Sequence, residues 1–273
     1  MARQRLDVAL VQRKLATSRA KAQELIDGGY VRVFGLIAPK PSSMVDEGQP
    51  IHVQEPGQQW VTRGGRKLEG ALADLHIDPS GLRVLDAGCA HGGFTDVLLT
   101  QGASHVYAVD VAYGQFDWRL RTDDRVSVFE RTNIRHLQPG DLPDSVDFVV
   151  ADLSFISLTK VLDGLLAPCT PDAMLLPMVK PQFEVGKSRV GKGGVVRNPD
   201  DWADALAGVI DAAHTRNCDV VGIVPSRTPG PRGNIEFFVH LQRGRARTNV
   251  HLGYIEQAIE AAQELANGQP NDA

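Results

Sequence analysis

The sequence predicts an α/β chain: a Rossmann-like parallel sheet covered by helices, preceded by a small α+β domain. Three observations predict it. From Arg83 onward, short Val-rich runs (RVLDAG, HVYAVDV, VSVFER, VDFVVADL and MLLPMVK) alternate with helical or loop segments, the pattern of a parallel sheet buried on both faces. The first of these runs ends in an acid followed by glycines, LDAGCAHGGFTD, as a strand does when its turn meets a nucleotide-like ligand. Charge is also uneven: residues 1–40 carry eight Lys and Arg against three Asp and Glu, a net +5, while the whole chain is −4, which leaves −9 for the remainder. A basic head on an acidic body marks a separate module that meets a polyanion.

The 273 residues suffice for a medium domain with an accessory one, and we divide them at 1–58 and 59–273. No apolar run approaches the roughly 18 to 20 residues that span a bilayer. The start, MARQRLDVAL, has neither a continuous apolar segment nor a small-residue cleavage site, which argues against a secretory signal and for the cytoplasm. Cys89, Cys169 and Cys218 lie far apart without C-x-x-C spacing, so free thiols are expected rather than a disulfide frame or zinc site.

In the basic head, Leu6, Leu10 and Val11 fall at helical spacing. Ser18 is placed to cap a second helix, Arg19 to Ile26, with Ala22, Leu25 and Ile26 inward and Gly28-Gly29 as its stop. Two short strands follow, around Val31 and Val33 and at residues 51–53, joined by the turn-rich KPSSMVDEGQP. RLDVALVQRKLATSRAKAQELIDGGYVRV with the KP, VDEGQPI and HV that follow resembles the alpha-L RNA-binding motif shared with a small-subunit ribosomal protein. The resemblance implies that Arg3, Arg5, Arg19 and Lys21 face RNA phosphates, contacts that position the partner without reading much sequence. Phe34 stands where that motif commonly has Asn or Asp, so the turn is expected to differ. QEPGQQW then reads as a linker.

The glycine order in LDAGCAHGG does not fit G-x-G-x-x-G, and Phe94 stands where a phosphate-binding loop needs Lys. It fits the D-x-G-x-x-x-G-G loop that passes around the methionine part of S-adenosylmethionine. Glycine is needed there because no side chain fits where the backbone nears the ligand. Asp110, 24 residues after Asp86, is the acid expected to hold the cofactor's ribose hydroxyls. His91 is expected to donate one hydrogen bond near the methionine end, in its neutral form.

Four further segments, TRGGRKLEGAL, ADLSFIS, MVKPQFEVGK and GNIEFFVHL, each set one charged residue at a strand end or element start: Lys67, Asp152, Lys180 and Glu236. Buried charge there is costly unless paired. Together they resemble the Lys-Asp-Lys-Glu tetrad of FtsJ-like ribose methyltransferases. RGGRKL, DAG with GGFTD, VDVAYGQ, ERTN, VADLSFIS, VKPQFEVGK and GNIEFF make the chain, from about residue 3 to 265, similar to the TlyA family of hemolysin-named ribosomal RNA 2'-O-methyltransferases. The resemblance implies an S-adenosylmethionine site at Asp86, Gly88, Cys89, His91, Gly92, Gly93, Phe94, Asp110, Val111, Asn133 and Asp152. It also implies a cytidine ribose in assembled ribosomal subunits as acceptor, the small subunit first and the large as a second candidate, with the protein a monomer.

Removing the proton of a ribose hydroxyl is work that a neutral lysine can do. A free lysine titrates at about 10.4, and burial or a neighbouring cation lowers that. Lys180 is the expected base or orienter of the hydroxyl, with Lys67 lowering its pKa and holding the nucleotide, Asp152 orienting it and touching the cofactor's ammonium group, and Glu236 pairing with Lys67 or bonding the ribose. No metal is needed. EVGKSRVGKGGVVRNPD, with Lys187, Arg189, Lys192 and Arg197 among glycines, is expected to be a mobile basic loop closing over RNA. VVGIVPSRTPGPRGNIEFFVHL reads as two strands joined by a Pro/Gly-rich turn, which by resemblance suits the antiparallel strand ending the sheet of this methyltransferase class. HLGYIEQAIEAAQELANG reads as an amphipathic helix burying Leu252, Ile255, Ile259 and Ala262. The rival classes are a catalytically decayed RNA-binding assembly factor, suggested by Cys89, Ala90 and His91 where the family commonly has Ala-Ser-Thr, and a membrane-lytic hemolysin. The latter has no spanning helix or series of barrel strands in the sequence.

Overall fold

The computed structural model describes residues 3–38, 40–54, 60–230, 232–245, 247–248 and 251–268. In the N-terminal domain a strand, β1 (Arg3–Arg5), runs into helices α1 (Leu6–Gln12) and α2 (Arg19–Asp27), followed by β2 (Val31–Val33), β3 (Leu36–Ile37), β4 (Met44–Asp46) and β5 (Ile51–Val53). Leu6, Leu10, Ala22, Leu25, Ile26, Val31 and Val45 form its core. Ser18 caps α2 as expected, its Oγ accepting from the Lys21 amide at 3.1 Å. β2 pairs antiparallel with both β3 and β5. The stretch read as a turn supplies a strand instead: β4 pairs with β1. Only Val45 of its three residues is buried, too short an alternation to register as a strand in the sequence. Phe34 and Gly35 turn the β2–β3 hairpin, both at positive φ (52° and 76°). The linker read at QEPGQQW lies mostly outside the described residues. Its last residue is anchored, with Trp60 Nε1 donating to Glu69 at 3.2 Å and the adjoining Val61 amide donating to Asp96 at 2.8 Å.

The larger domain follows as α3 (Gly64–Asp74), β6 (Arg83–Ala87), α4 (Gly93–Thr100), β7 (His105–Val109), α5 (Trp118–Arg121), β8 (Val126–Phe129), β9 (Val146–Ala151), α6 (Leu162–Leu166), β10 (Cys169–Val179), α7 (Pro181–Glu184), α8 (Pro199–His214), β11 (Cys218–Pro225), β12 (Phe237–Arg243) and α9 (His251–Gly268). Its strands form one sheet in the order β11-β12-β10-β9-β6-β7-β8. β6 is the switch point, because the chain builds outward to β7 and β8 and then returns to its other side with β9 and β10. Ligand crevices form beyond the carboxyl ends of strands at such a point.

Apolar side chains from the two faces of the sheet make two separate cores, one under α6, α8 and α9 and one under α3 and α4. β12 is antiparallel as expected, but it lies between β10 and β11 rather than at the edge. It therefore buries Phe237, Phe238 and Val239 completely. The closing helix turns Ile255, Ala258 and Ala262 inward, whereas Leu252 is exposed. Leu252 lies in the helix's first turn.

Candidate active site

Three parallel strands deliver acids or a lysine to one end of the sheet. Asp110 follows β7, Asp152 follows β9 and Lys180 follows β10. Lys67 comes from the first turn of α3, and Glu236 immediately precedes β12. The sequence-predicted tetrad is thus brought together as two ion pairs. Lys67 Nζ lies 2.5 Å from Glu236 Oε2, and Lys180 Nζ lies 2.5 Å from Asp152 Oδ1 and donates to Ser154 Oγ at 3.1 Å. Lys67, Lys180 and Glu236 are all buried. Buried charges persist only when paired in this way, and removal of one partner leaves the other uncompensated.

All four residues line one cavity of about 540 Å³ with Ser154, Phe155, Gln182, Phe183, Arg232 and Asn234. A second cavity of about 500 Å³ is lined by Asp110, Val111, Gln115, Thr132, Asn133 and Leu153. The two meet along Gly88, Ala90, Asp152, Ser154 and Phe155, which line both. The arrangement offers two ligand chambers that open onto each other at a lysine–carboxylate pair.

Asp110 is held by the facing loop and by its own: Oδ2 accepts from the Ala90 amide at 2.8 Å and Oδ1 from the Ala112 amide, two residues on, at 2.8 Å. Gly88, at φ +82°, passes so close to β9 that a Cβ would sit 2.7 Å from the Asp152 carbonyl oxygen. That position requires glycine on two counts, conformation and space.

The remaining loop residues lie elsewhere than expected. Cys89 and Phe94 are buried in the core beside α3 and α4, and burial pushes the Cys89 thiol well up. Gly92 and Gly93 give room to protein rather than ligand, because a Cβ would strike Leu120 and Phe116 at the first and Thr62 and Gly65 at the second. His91 turns away from both cavities, its ring 4.1 Å from that of His52 in the N-terminal domain. Burial, then the neighbouring His52, holds its pKa down at about 4.

Asp86 is fully buried beneath the loop. Its Oδ2 accepts from Thr95 Oγ1 at 2.6 Å and its Oδ1 has no partner. Burial raises its carboxyl to about 7. It braces α4 from below rather than lining a cavity.

The basic segment is ordered in part by side chains the sequence reading did not use. Asn234 accepts from the Val196 amide at 3.0 Å and donates to the Gly194 carbonyl at 2.9 Å. Arg189 is paired with Asp201 and Asp204 of α8, at 3.1 and 2.5 Å. Val190 and Gly194 of this segment line the larger cavity; Lys187 and Lys192 do not. On the N-terminal domain, Arg5 and Arg19 both bind the fully buried Asp7, each at 2.9 Å, and Lys21 pairs with Glu24 at 2.7 Å. Arg3 pairs with Asp46 at 3.2 Å.

Phe155 was overlooked. It is 91% exposed, sits at φ +64° where a bulky residue is rare, and its ring lies 5.3 Å from that of Phe183. The signal was present in ADLSFIS, an aromatic residue three positions after an acid at a strand end, but nothing local in that string says that the ring stays outside.

Residues 60–243 match the family model described as FtsJ-like methyltransferase, and residues 4–51 match that of the S4 domain. The chain is 48% identical over 261 residues to the 16S/23S rRNA (cytidine-2'-O)-methyltransferase TlyA of Mycobacterium tuberculosis, covering 95% of this chain and 97% of that protein. It is 33% identical to Hemolysin A of Brachyspira hyodysenteriae, over 86% of this chain and 98% of the relative. A solved hemolysin-named structure from Streptococcus thermophilus superposes with a TM-score of 0.74 at 33% identity, covering 98% of both chains. An S4 domain followed by an FtsJ-like domain, matched along nearly its whole length by these relatives, places the chain in the TlyA family of FtsJ-like methyltransferases.

Proposed function

We propose that this enzyme transfers a methyl group from S-adenosylmethionine to the 2'-hydroxyl of a cytidine ribose in ribosomal RNA, with the small and the large subunit both as substrates. The observation that carries the reading is the pair of cavities meeting at Asp152, with both lysine–carboxylate pairs in one and Asp110 in the other. The M. tuberculosis relative's name supplies the acceptor and both subunits.

The residues of the 500 Å³ cavity fit the cofactor. Asp110 is fixed by two amides yet keeps lone pairs for two vicinal hydroxyls. The approach of Gly88 to β9 leaves a bare backbone edge at the junction. Val111 and Asn133 line the wall beside Asp110. When bound, the cofactor would supply an electrophilic methyl group carried on a sulfonium.

The chain's own residues bring that oxygen into place. Lys180, oriented by Asp152 and Ser154, holds the acceptor hydroxyl and in its unprotonated form takes the proton. Lys67, locked by Glu236, supports the nucleotide from the opposite element. Phe155 and Phe183 give a base swung out of its helix a stacking surface at the cavity mouth. Arg3, Arg5, Arg19, Lys21, Lys187, Arg189 and Lys192 contribute positive charge for RNA, which makes affinity fall with salt.

The test is to incubate the protein with each unmodified subunit and labelled cofactor and to map the label. Label on a ribose 2'-oxygen of both subunits is expected. Label on a base would overturn the mechanism, and label on one subunit alone would overturn the dual substrate.

A further inference from the structure

Two contacts, one buried and one half-buried, tie the N-terminal domain to the backbone that forms the 500 Å³ cavity. Arg32, on β2, lies with Nε 2.6 Å from Oδ2 of Asp117, and both side chains are almost wholly buried. Arg32 also donates to Gln54 Oε1 at 2.9 Å, while the other oxygen of Asp117 accepts from the Arg119 amide at 2.9 Å. The Asp117 amide in turn donates to the His91 carbonyl at 3.2 Å, in the middle of the glycine loop.

The second contact is His52 of β5. Its ring packs on that of His91 with centroids 4.1 Å apart, and its Nε2 donates to the Val61 carbonyl at 3.0 Å. Between them the hairpin turn adds a third hold: the Gly35 carbonyl accepts from the Trp118 amide at 3.3 Å.

These contacts grip residues 88–93 and 110–118, the stretches that give Gly88, Ala90, Asp110, Val111 and Gln115 to the cavity. The grip is transmitted, because the Ala90 amide holds the Asp110 carboxylate. A loop that shifts therefore moves the acid with it. Among the described residues, none of the N-terminal domain lines the cavity itself, so any effect on its ligand passes through Asp117 and His91.

We infer that Arg32 and His52 are positioning residues for the methyl donor: by clamping Asp117 and His91 they set the cofactor loop, making the RNA-binding domain a structural part of the cofactor site. The inference rests on the reading of the 500 Å³ cavity as the S-adenosylmethionine site. It gives the histidine in the loop a role outside the chemistry, as the face that the N-terminal domain holds.

The experiment is calorimetric titration of S-adenosylmethionine into the full-length chain and its Arg32→Met, His52→Ala and His52→Phe variants, with steady-state kinetics on ribosomal subunits alongside. Arg32→Met and His52→Ala are expected to weaken cofactor binding by about ten-fold or more and to raise the cofactor KM in step. The kcat at saturating cofactor should stay within about two-fold, since the lysine pairs are untouched. His52→Phe keeps a ring to stack on and is expected to recover most of the affinity.

If the wild-type chain binds no S-adenosylmethionine, the reading of the cavity falls and the inference with it. If the wild type binds and Arg32→Met and His52→Ala bind equally well, only the inference falls. A loss confined to kcat, with KM unchanged, overturns it as well. Should Arg32→Met fail to fold because it strands Asp117, His52→Ala decides alone, since it leaves no buried charge unpaired.

Discussion

At Lys180 the chemistry rests on one nitrogen with two fixed partners. Lys180→Ala is expected to lower kcat by roughly 10²- to 10⁴-fold, the usual worth of a positioned base. S-adenosylmethionine affinity, measured by titration, should change by less than about three-fold, since the side chain lies in the neighbouring cavity. Gly88→Ala should abolish cofactor binding, because the new methyl group meets the backbone of Asp152 at a positive φ. Asp86 gives a pH signature. Its carboxyl holds a proton up to about pH 7 when folded, but only to about 3.9 when unfolded. The folded state therefore binds the extra proton between these values: stability is full at acid pH and declines as pH rises toward 7. Asp86→Asn, which can still accept from Thr95, should remove that decline, a difference on the order of 2–4 kcal/mol at pH 8, read from urea unfolding at pH 5 and 8. Asp110 was legible in the sequence because it ends an apolar run 24 residues after Asp86, and the tetrad because its four segments together resemble the FtsJ-like one. The roles of Asp86, Cys89, His91, Gly92 and Gly93 were not. A string shows that glycines are required but not whether a ligand, Leu120 or Thr62 occupies the space they leave.

Among the elements, short ones proved hardest to read and long apolar ones easiest. The inner parallel strands were visible because burial on both faces makes each a near-continuous apolar run, and the edge strand β8, only partly buried, because it is Val-rich. β4 was invisible because three residues with one buried side chain look like a turn. α2 is the test case for a local signal: Ser18→Ala should cost about 1 kcal/mol of N-terminal domain stability, measured by hydrogen exchange of the α2 amides, with little change in the larger domain's core. In the segment 185–197, glycines and positive charge suggested mobility, yet the acids of α8, the helix that follows, and Asn234, farther along the chain, fix it. In α9 the helical stripe was read correctly except at Leu252, which lies exposed in the first turn.

For the whole molecule, the histidine pair makes domain docking sensitive to acid. Burial lowers both His52 and His91, the latter to about 4. Arg32 raises the cost of a proton on His52 and Asp117 partly offsets it. A histidine titrates near 6.5 when unfolded, so the folded state binds fewer protons below that pH. The contribution is complete above about 6.5 and is lost as pH falls toward 4. Urea unfolding at pH 7.5 and 4.5 should show the wild type losing on the order of 2 kcal/mol more than His91→Phe, and equal losses would show that the pair does not report docking. The sequence by itself determined the α/β class and the basic N-terminal module, because these follow from local periodicity and composition, and it marked the four charged residues through the resemblance of their motifs to the FtsJ-like tetrad. Only the tertiary structure decided that Lys67 answers to Glu236, 169 residues away, that two cavities share Asp152, and that the loop histidine faces the other domain. Those depend on which strand ends the switch point at β6 brings side by side and on which surfaces the two domains press together, distances in space that spacing along the chain does not encode.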